Sequence, residues 1–159
     1  MPEENDELAE GLLDVLPVLL RRLRADLPAA REDPGADPQW KQLAELHGTK
    51  GQVALLGILA KQERATMQDL AVQMAVTPST VTAMVKRLLS QGYVTRQNDE
   101  SDWRLVWVHP TEAGRQIMRF YNQRRREALQ RRLDGLSRLE RQQLWAALPA
   151  LRRLTTEVD

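Results

Sequence analysis

The sequence predicts a mainly helical α+β fold. Three observations point there. Apolar residues recur at helical spacing over most of the 159 residues. The period falls to two only between Tyr93 and Val108. Hydroxyl residues suited to start helices stand at the breaks, at Thr66, Thr77, Thr111 and Ser137.

Residues 7–27 read as a helix, with Leu8, Leu12, Val15, Leu16, Leu19 and Leu23 in one stripe. Pro17 inside that pattern predicts a kink or a restart. Pro28 to Pro38 carries three prolines and Gly35, which predicts a loop. A short helix over 39–47 follows. Gly48 ends it, and Thr49 is expected to cap a helix over 50–61 with Val53, Leu56, Leu59 and Ala60 inward.

Thr66 and Asp69 nearly match a capping box and open a helix to about Ala75, with Leu70, Ala71 and Met74 on its apolar side. Thr77-Pro78 opens the next helix, because proline is tolerated where an amide has no partner anyway. That helix runs to about Gln91, turns Val81, Met84, Val85, Leu88 and Leu89 inward, and stops at Gly92. Tyr93–Arg96 and Leu105–Val108 read as the strands of a hairpin around the polar turn 97–102. Thr111 caps a helix over 112–133, with Ala113, Ile117, Phe120, Tyr121, Ala128 and Leu129 as contact residues. Asp134-Gly135 breaks it. The full capping box Ser137-Arg138-Leu139-Glu140 opens the last helix, which carries Leu144, Trp145, Leu148, Leu151 and Leu154 and a bend at Pro149.

Composition narrows the function. Hydrophobic residues are 42% and charged residues 28%, which suits a packed domain rather than a disordered chain. There is no cysteine, so disulfides, thiolate metal sites and thiol redox sensing are excluded. His47 and His109 do not share a metal-ligand spacing, and neither a metal nor another cofactor is expected. No nucleophile–base pair or phosphate loop suggests an enzyme. The start MPEENDELAE is acidic, the reverse of a secretory signal. Apolar runs such as Val15 to Leu20 are far shorter than the roughly 20 residues a bilayer span needs. A cytoplasmic protein with no membrane partner is expected.

The middle of the chain reads helix, turn, helix, hairpin, which is the order of a winged helix-turn-helix. In that arrangement the start of the second helix reaches base edges in the major groove of duplex DNA. Here it offers Thr77, Ser79, Thr80 and Thr82, small hydroxyl residues that permit close approach. Lys86 and Arg87 lie further along and suit phosphates. The hairpin adds Arg96 and Arg104, and an arginine near its tip suits a narrow minor groove. Asp102 is placed to hold the Arg104 guanidinium. Charge gives no global support: the net charge is +1, and residues 66–109 balance four basic against four acidic side chains. The same order also serves protein-binding adaptors or antirepressors that do not bind DNA.

The run from Gln68 to Gly114 resembles the MarR family of bacterial regulators. The matching residues are Asp69-Leu70-Ala71, Thr80-Val81-Thr82, Leu88, Gly92-Tyr93-Val94 with Arg96, Asp102-x-Arg104 and Thr111-Glu112-x-Gly114. Upstream, Thr49-x-x-Gln52 with Leu55-Leu56 also fits. The resemblance implies a winged-helix lobe, 48–111, and a dimerisation lobe built from long terminal helices, 1–47 and 112–159, together one compact domain. It implies a homodimer on a pseudo-palindromic operator, usually as a repressor. It also implies release by a small aromatic or anionic effector bound between the lobes, for which Trp40, His47 and Tyr121 are the candidate residues, with Trp145 beside them. Carried over by position, Ser79, Thr80, Thr82 and Lys86 lie on the recognition helix, and Arg104 is the wing-tip arginine supported by Asp102. Trp103 stands where the family commonly has a charge, and Pro110 where it usually has leucine.

Overall fold

The computed structural model describes residues 2–25, 38–47, 51–102 and 104–156, apart from the side chains of 2, 3, 24, 40, 45 and 47. The chain divides into two compact units, Pro28–Gln123 and Met1–Leu27 with Arg124–Asp159. One helix contributes residues to both.

The first unit contains α2 (Pro38–His47), α3 (Gln52–Gln62), β1 (Ala65–Thr66), α4 (Met67–Met74), α5 (Pro78–Ser90), β2 (Val94–Asn98), β3 (Val106–Pro110) and the first half of α6 (Glu112–Asp134). The expected cap Thr49 and the stop Gly48 lie outside the described residues. Gly51 precedes α3 with φ 92 and provides no side-chain cap. Leu55, Leu56 and Leu59 are fully buried on α3, while Val53 and Ala60 are only half-buried. The buried stripe is thus rotated from the expected one. Gln52 shares it, and neither polar atom of its amide finds a partner among the described residues.

The helix-turn-helix follows from local chemistry. The Thr66 hydroxyl accepts the Asp69 amide at 3.1 Å, and the Asp69 carboxylate accepts the Thr66 amide at 3.1 Å, a complete capping box. Ala75 ends α4 in the left-handed region, φ 51, and the Val76 amide reaches back to the Ala71 carbonyl. Thr77 then caps α5, with Pro78 in its first turn. Leu70 and Ala71 of α4 and Val81, Val85 and Leu88 of α5 are buried; Met74, Met84 and Leu89 are half-buried. α5 closes with paired bonds, Gly92 N–H to Leu89 and Tyr93 N–H to Leu88, around Gly92 at φ 74. This is a Schellman closure, which needs the left-handed residue.

The hairpin is longer than its sequence pattern suggests, and it is joined by a third strand. The sheet order is β1-β3-β2, antiparallel throughout. Arg96 pairs with Val108 and Gln97 with Trp107, while β1 sets Ala65 against Val108 and Thr66 against Trp107. Along β3, Val108 and Pro110 are buried and Trp107 points to the opposite face. After β3, Thr111 caps α6, with its hydroxyl accepting the Gly114 amide at 3.1 Å. On α6, Ile117, Met118 and Tyr121 are buried and Phe120 half-buried; Ala113, expected inward, is exposed.

The second unit contains α1 (Pro2–Ala25), the rest of α6 and α7 (Arg138–Arg153). α1 is assigned as one helix through Pro17 rather than two. The expected loop over 28–37 lies outside the described residues. Leu23 and Ala128 are buried here; Leu129, an expected contact, is exposed. The Ser137–Glu140 capping box is complete, and Arg141 Nη1 donates to the Leu136 carbonyl at 2.8 Å, closing the turn between α6 and α7. α7 runs on through Pro149. Much of the apolar surface of α1 and α7 is uncovered: Leu13 is 72% exposed and Trp145 77%, and Leu154, the C-cap of α7, is 71% exposed. Among the described residues no helix is long and apolar enough to cross a membrane.

Candidate nucleic-acid interface

The candidate interface lies on α5 and the hairpin. The buried positions of α5 leave the opposite side to solvent, and Ser79, Thr82, Lys86 and Arg87 are exposed on it. Ser79, Thr82 and Lys86 are spaced i, i+3, i+7, so they form one line along the helix. Thr77, at the cap, is exposed and Thr80 is half-buried.

The hydroxyls at the helix start bond to one another. Thr77 Oγ1 lies 2.9 Å from Ser79 Oγ and 2.8 Å from Thr80 Oγ1, and it accepts the Thr80 amide at 3.3 Å. Thr82 Oγ1 donates to the Pro78 carbonyl at 2.9 Å. Each hydroxyl has one proton and two lone pairs, so Thr77 Oγ1, with three partners, is saturated, whereas Ser79 and Thr82 keep acceptor capacity for an incoming partner. Thr77 is therefore first a capping residue, and Ser79 and Thr82 are better placed to meet a base edge.

On the hairpin, Arg96 is exposed on β2, and Asp102 and Arg104 are exposed in the loop. Asp102 Oδ1 accepts the Arg104 backbone amide at 3.0 Å. The carboxylate therefore fixes the main chain that carries Arg104. Trp103 lies outside the described residues.

Sequence reasoning missed the group that organises this loop. Asp99 accepts the Ser101 amide (2.9 Å), the Asp102 amide (3.1 Å), the Ser101 hydroxyl and Trp107 Nε1 (2.8 Å). These bonds, the Ser101 hydroxyl first and Trp107 next, hold its carboxyl well below the usual carboxylate range. The Arg64 guanidinium carbon sits 4.3 Å from the centroid of the Trp107 ring. The Asp99-x-Ser101 spacing was the only available signal, since short polar side chains there bond to the backbone two residues on.

Of the candidate effector residues, the side chains of Trp40 and His47 lie outside the description. Tyr121 is buried on α6 at 7% exposure, and Trp145 stands exposed on α7.

A three-helix scaffold with a helix-turn-helix and a β-hairpin wing defines a winged helix-turn-helix protein. Sequence comparison agrees: the profile of the MarR family matches residues 49–106. An HTH-type transcriptional regulator of Mycobacterium bovis is 31% identical over 106 residues, covering 67% of this chain and 74% of that protein. An HTH-type regulator of Bacillus subtilis is 27% identical over 86 residues, covering 54% of this chain. Two Bacillus subtilis relatives are spanned over only 61% and 64% of their lengths. Among solved structures, a MarR family protein from Bacillus stearothermophilus superposes with TM-score 0.73 at 24% identity, covering 99% of both chains. FabT of Streptococcus pneumoniae, crystallised in complex with DNA, superposes with TM-score 0.60 at 22% identity, covering 96% of this chain and 95% of FabT. The chain belongs to the MarR family.

Proposed function

We propose that this regulator is a homodimeric repressor that binds a pseudo-palindromic operator in duplex DNA and responds to a small aromatic or anionic effector. The observation that carries the DNA reading is the exposed line Ser79, Thr82 and Lys86 on α5, next in the chain to a hairpin with exposed Arg96 and Arg104. Ser79, Thr80 and Thr82 read base edges, Thr77 seats the helix start, and Lys86, Arg87 and Arg96 neutralise phosphates. Arg104, fixed through Asp102, enters the minor groove.

The dimer reading is supported by α1 and α7. Burying a leucine side chain gains about 1.5–3 kcal/mol, so a surface with Leu13, Leu144, Trp145 and Leu154 uncovered favours a partner. A second copy through an isologous two-fold contact, built from the segments 1–47 and 112–159, covers it. Two winged lobes, 48–111, then meet successive major grooves about 34–36 Å apart. An effector acts by favouring a dimer with the wrong separation, a shift of populations rather than a block. The charge balance over 66–109 favours a second reading, a winged helix that docks on protein.

Binding to a mixed-sequence duplex at 50 and 200 mM salt separates the two. DNA binding predicts affinity that falls steeply with salt, because each phosphate contact releases counterions. No binding at either salt by a folded protein overturns the DNA reading in favour of the adaptor.

A further inference from the structure

The Asp99 carboxylate accepts four hydrogen bonds within the hairpin. The loop neck is closed by the Asp99 amide donating to the Leu105 carbonyl at 2.8 Å and the Leu105 amide donating to the Asp102 carbonyl at 2.9 Å. Within the neck, Asp99 Oδ1 gathers Ser101 and Asp102, and Asp102 in turn holds the Arg104 amide. Asp99 Oδ2 faces the other way and takes the indole proton of Trp107. Trp107 lies beside Thr66 of β1, and its ring stacks with Arg64, the residue before that strand. A continuous set of contacts thus runs from Arg64 through Trp107, Asp99 and Asp102 to the main chain of Arg104. Its bonds at Asp99 are charge-assisted, which makes them shorter and stronger than neutral ones.

We propose that Asp99 is a positioning residue for the wing: anchored by Trp107 under Arg64, it fixes the loop backbone so that Arg104 is presented in one conformation. The inference rests on the reading of the wing as a DNA-contacting element. The physical gain is preorganisation. A polar surface loop that is already ordered loses less freedom when it docks, so affinity rises without a new contact. Asp99 then acts through Arg104 and touches no nucleotide.

The test uses the full-length protein and four variants, Asp99→Ala, Trp107→Phe, Arg104→Ala and the double Asp99→Ala/Arg104→Ala. Trp107→Phe keeps an aromatic ring under Arg64, though a smaller one, and removes the indole donor. Amide hydrogen exchange of the free protein reads loop order directly. We expect exchange at Asp102 and Leu105 to quicken about tenfold or more in Asp99→Ala, and less in Trp107→Phe, with α3 and α4 unchanged. Affinity for a mixed-sequence duplex should fall about tenfold in Asp99→Ala, with no further loss when Asp99→Ala is added to Arg104→Ala. Unchanged exchange at Asp102 and Leu105 overturns the proposal. So does an equal loss of affinity with and without Arg104, which would mean an independent effect. If the wild type binds no duplex, the DNA reading fails separately, and the exchange result still decides whether Asp99 orders the loop. If Asp99→Ala does not fold, Trp107→Phe carries both readouts alone.

Discussion

Thr111 Oγ1 donates to the carbonyl oxygen of Gly92 at 2.7 Å, tying the start of α6 to the turn that ends α5. The Thr111 amide adds a bond to the Tyr93 carbonyl at 2.9 Å, and the hydroxyl also accepts the Gly114 amide. One residue therefore caps α6 and pins both ends of the hairpin. Thr111→Val keeps the shape and removes the hydroxyl. It should cost about 1–2 kcal/mol of stability, read as a shift in urea midpoint with unchanged slope.

Gly114 lies against the same turn. A Cβ there would overlap the Tyr93 carbonyl oxygen and press on Leu56 at 3.2 Å. The obstacle is backbone, which cannot rotate aside. Gly114→Ala should destabilise by about 1–3 kcal/mol, more than Thr111→Val. An Ala variant as stable as wild type in the same urea titration would show that α6 is free to shift from Tyr93.

Acid should loosen the start of α7. Glu140 accepts the Ser137 amide at 2.7 Å, and bonds to Ser137 hold its carboxyl below the usual range. A carboxyl whose folded pKa is depressed contributes stability that is present above its unfolded pKa, about 4.3, and lost as pH falls through the folded value. Helix content followed by circular dichroism from pH 6 to 2 should therefore decline. Glu140→Gln should remove part of that decline; an identical acid profile would leave the capping box without a role in it.

How far the sequence spoke depends on how local the chemistry is. The caps at Thr66, Thr77 and Ser137 were legible because donor and acceptor sit within three residues of each other. β1 was not: two residues carry no period, and Ala65-Thr66 becomes a strand only because β3 pairs with it. The buried set of α3 was half right, since Val53 and Leu55 are equally apolar and only packing selects Leu55. At the candidate site, the exposed positions of α5 follow from helical period alone. The Asp99–Trp107–Arg64 contacts do not, because they depend on strand register and on the edge strand that pattern reading missed.

Trp145, 77% exposed in the single chain, is expected to be buried if the proposed dimer forms through α7. Trp145→Asp should leave each chain folded and convert a dimeric sedimentation coefficient into a monomeric one. Wild type sedimenting as a monomer, or the variant as a dimer, would remove α7 from the interface.

Arg104→Ala should weaken binding to a specific site by about 1–3 kcal/mol and relax discrimination near the wing. Lys86→Ala should weaken all duplexes alike and reduce the salt slope by about one, as loss of one phosphate contact requires. Anisotropy titrations at several salt concentrations distinguish the two patterns.

Selection of bound sequences from a randomised duplex pool tests the central claim most directly, because it reads geometry and specificity together. The account predicts enrichment of an inverted repeat whose half-sites lie about one helical turn apart, two protein chains per duplex. A pool that stays random after repeated rounds with folded protein, or one enriched only for a solitary half-site bound by a single chain, would contradict it.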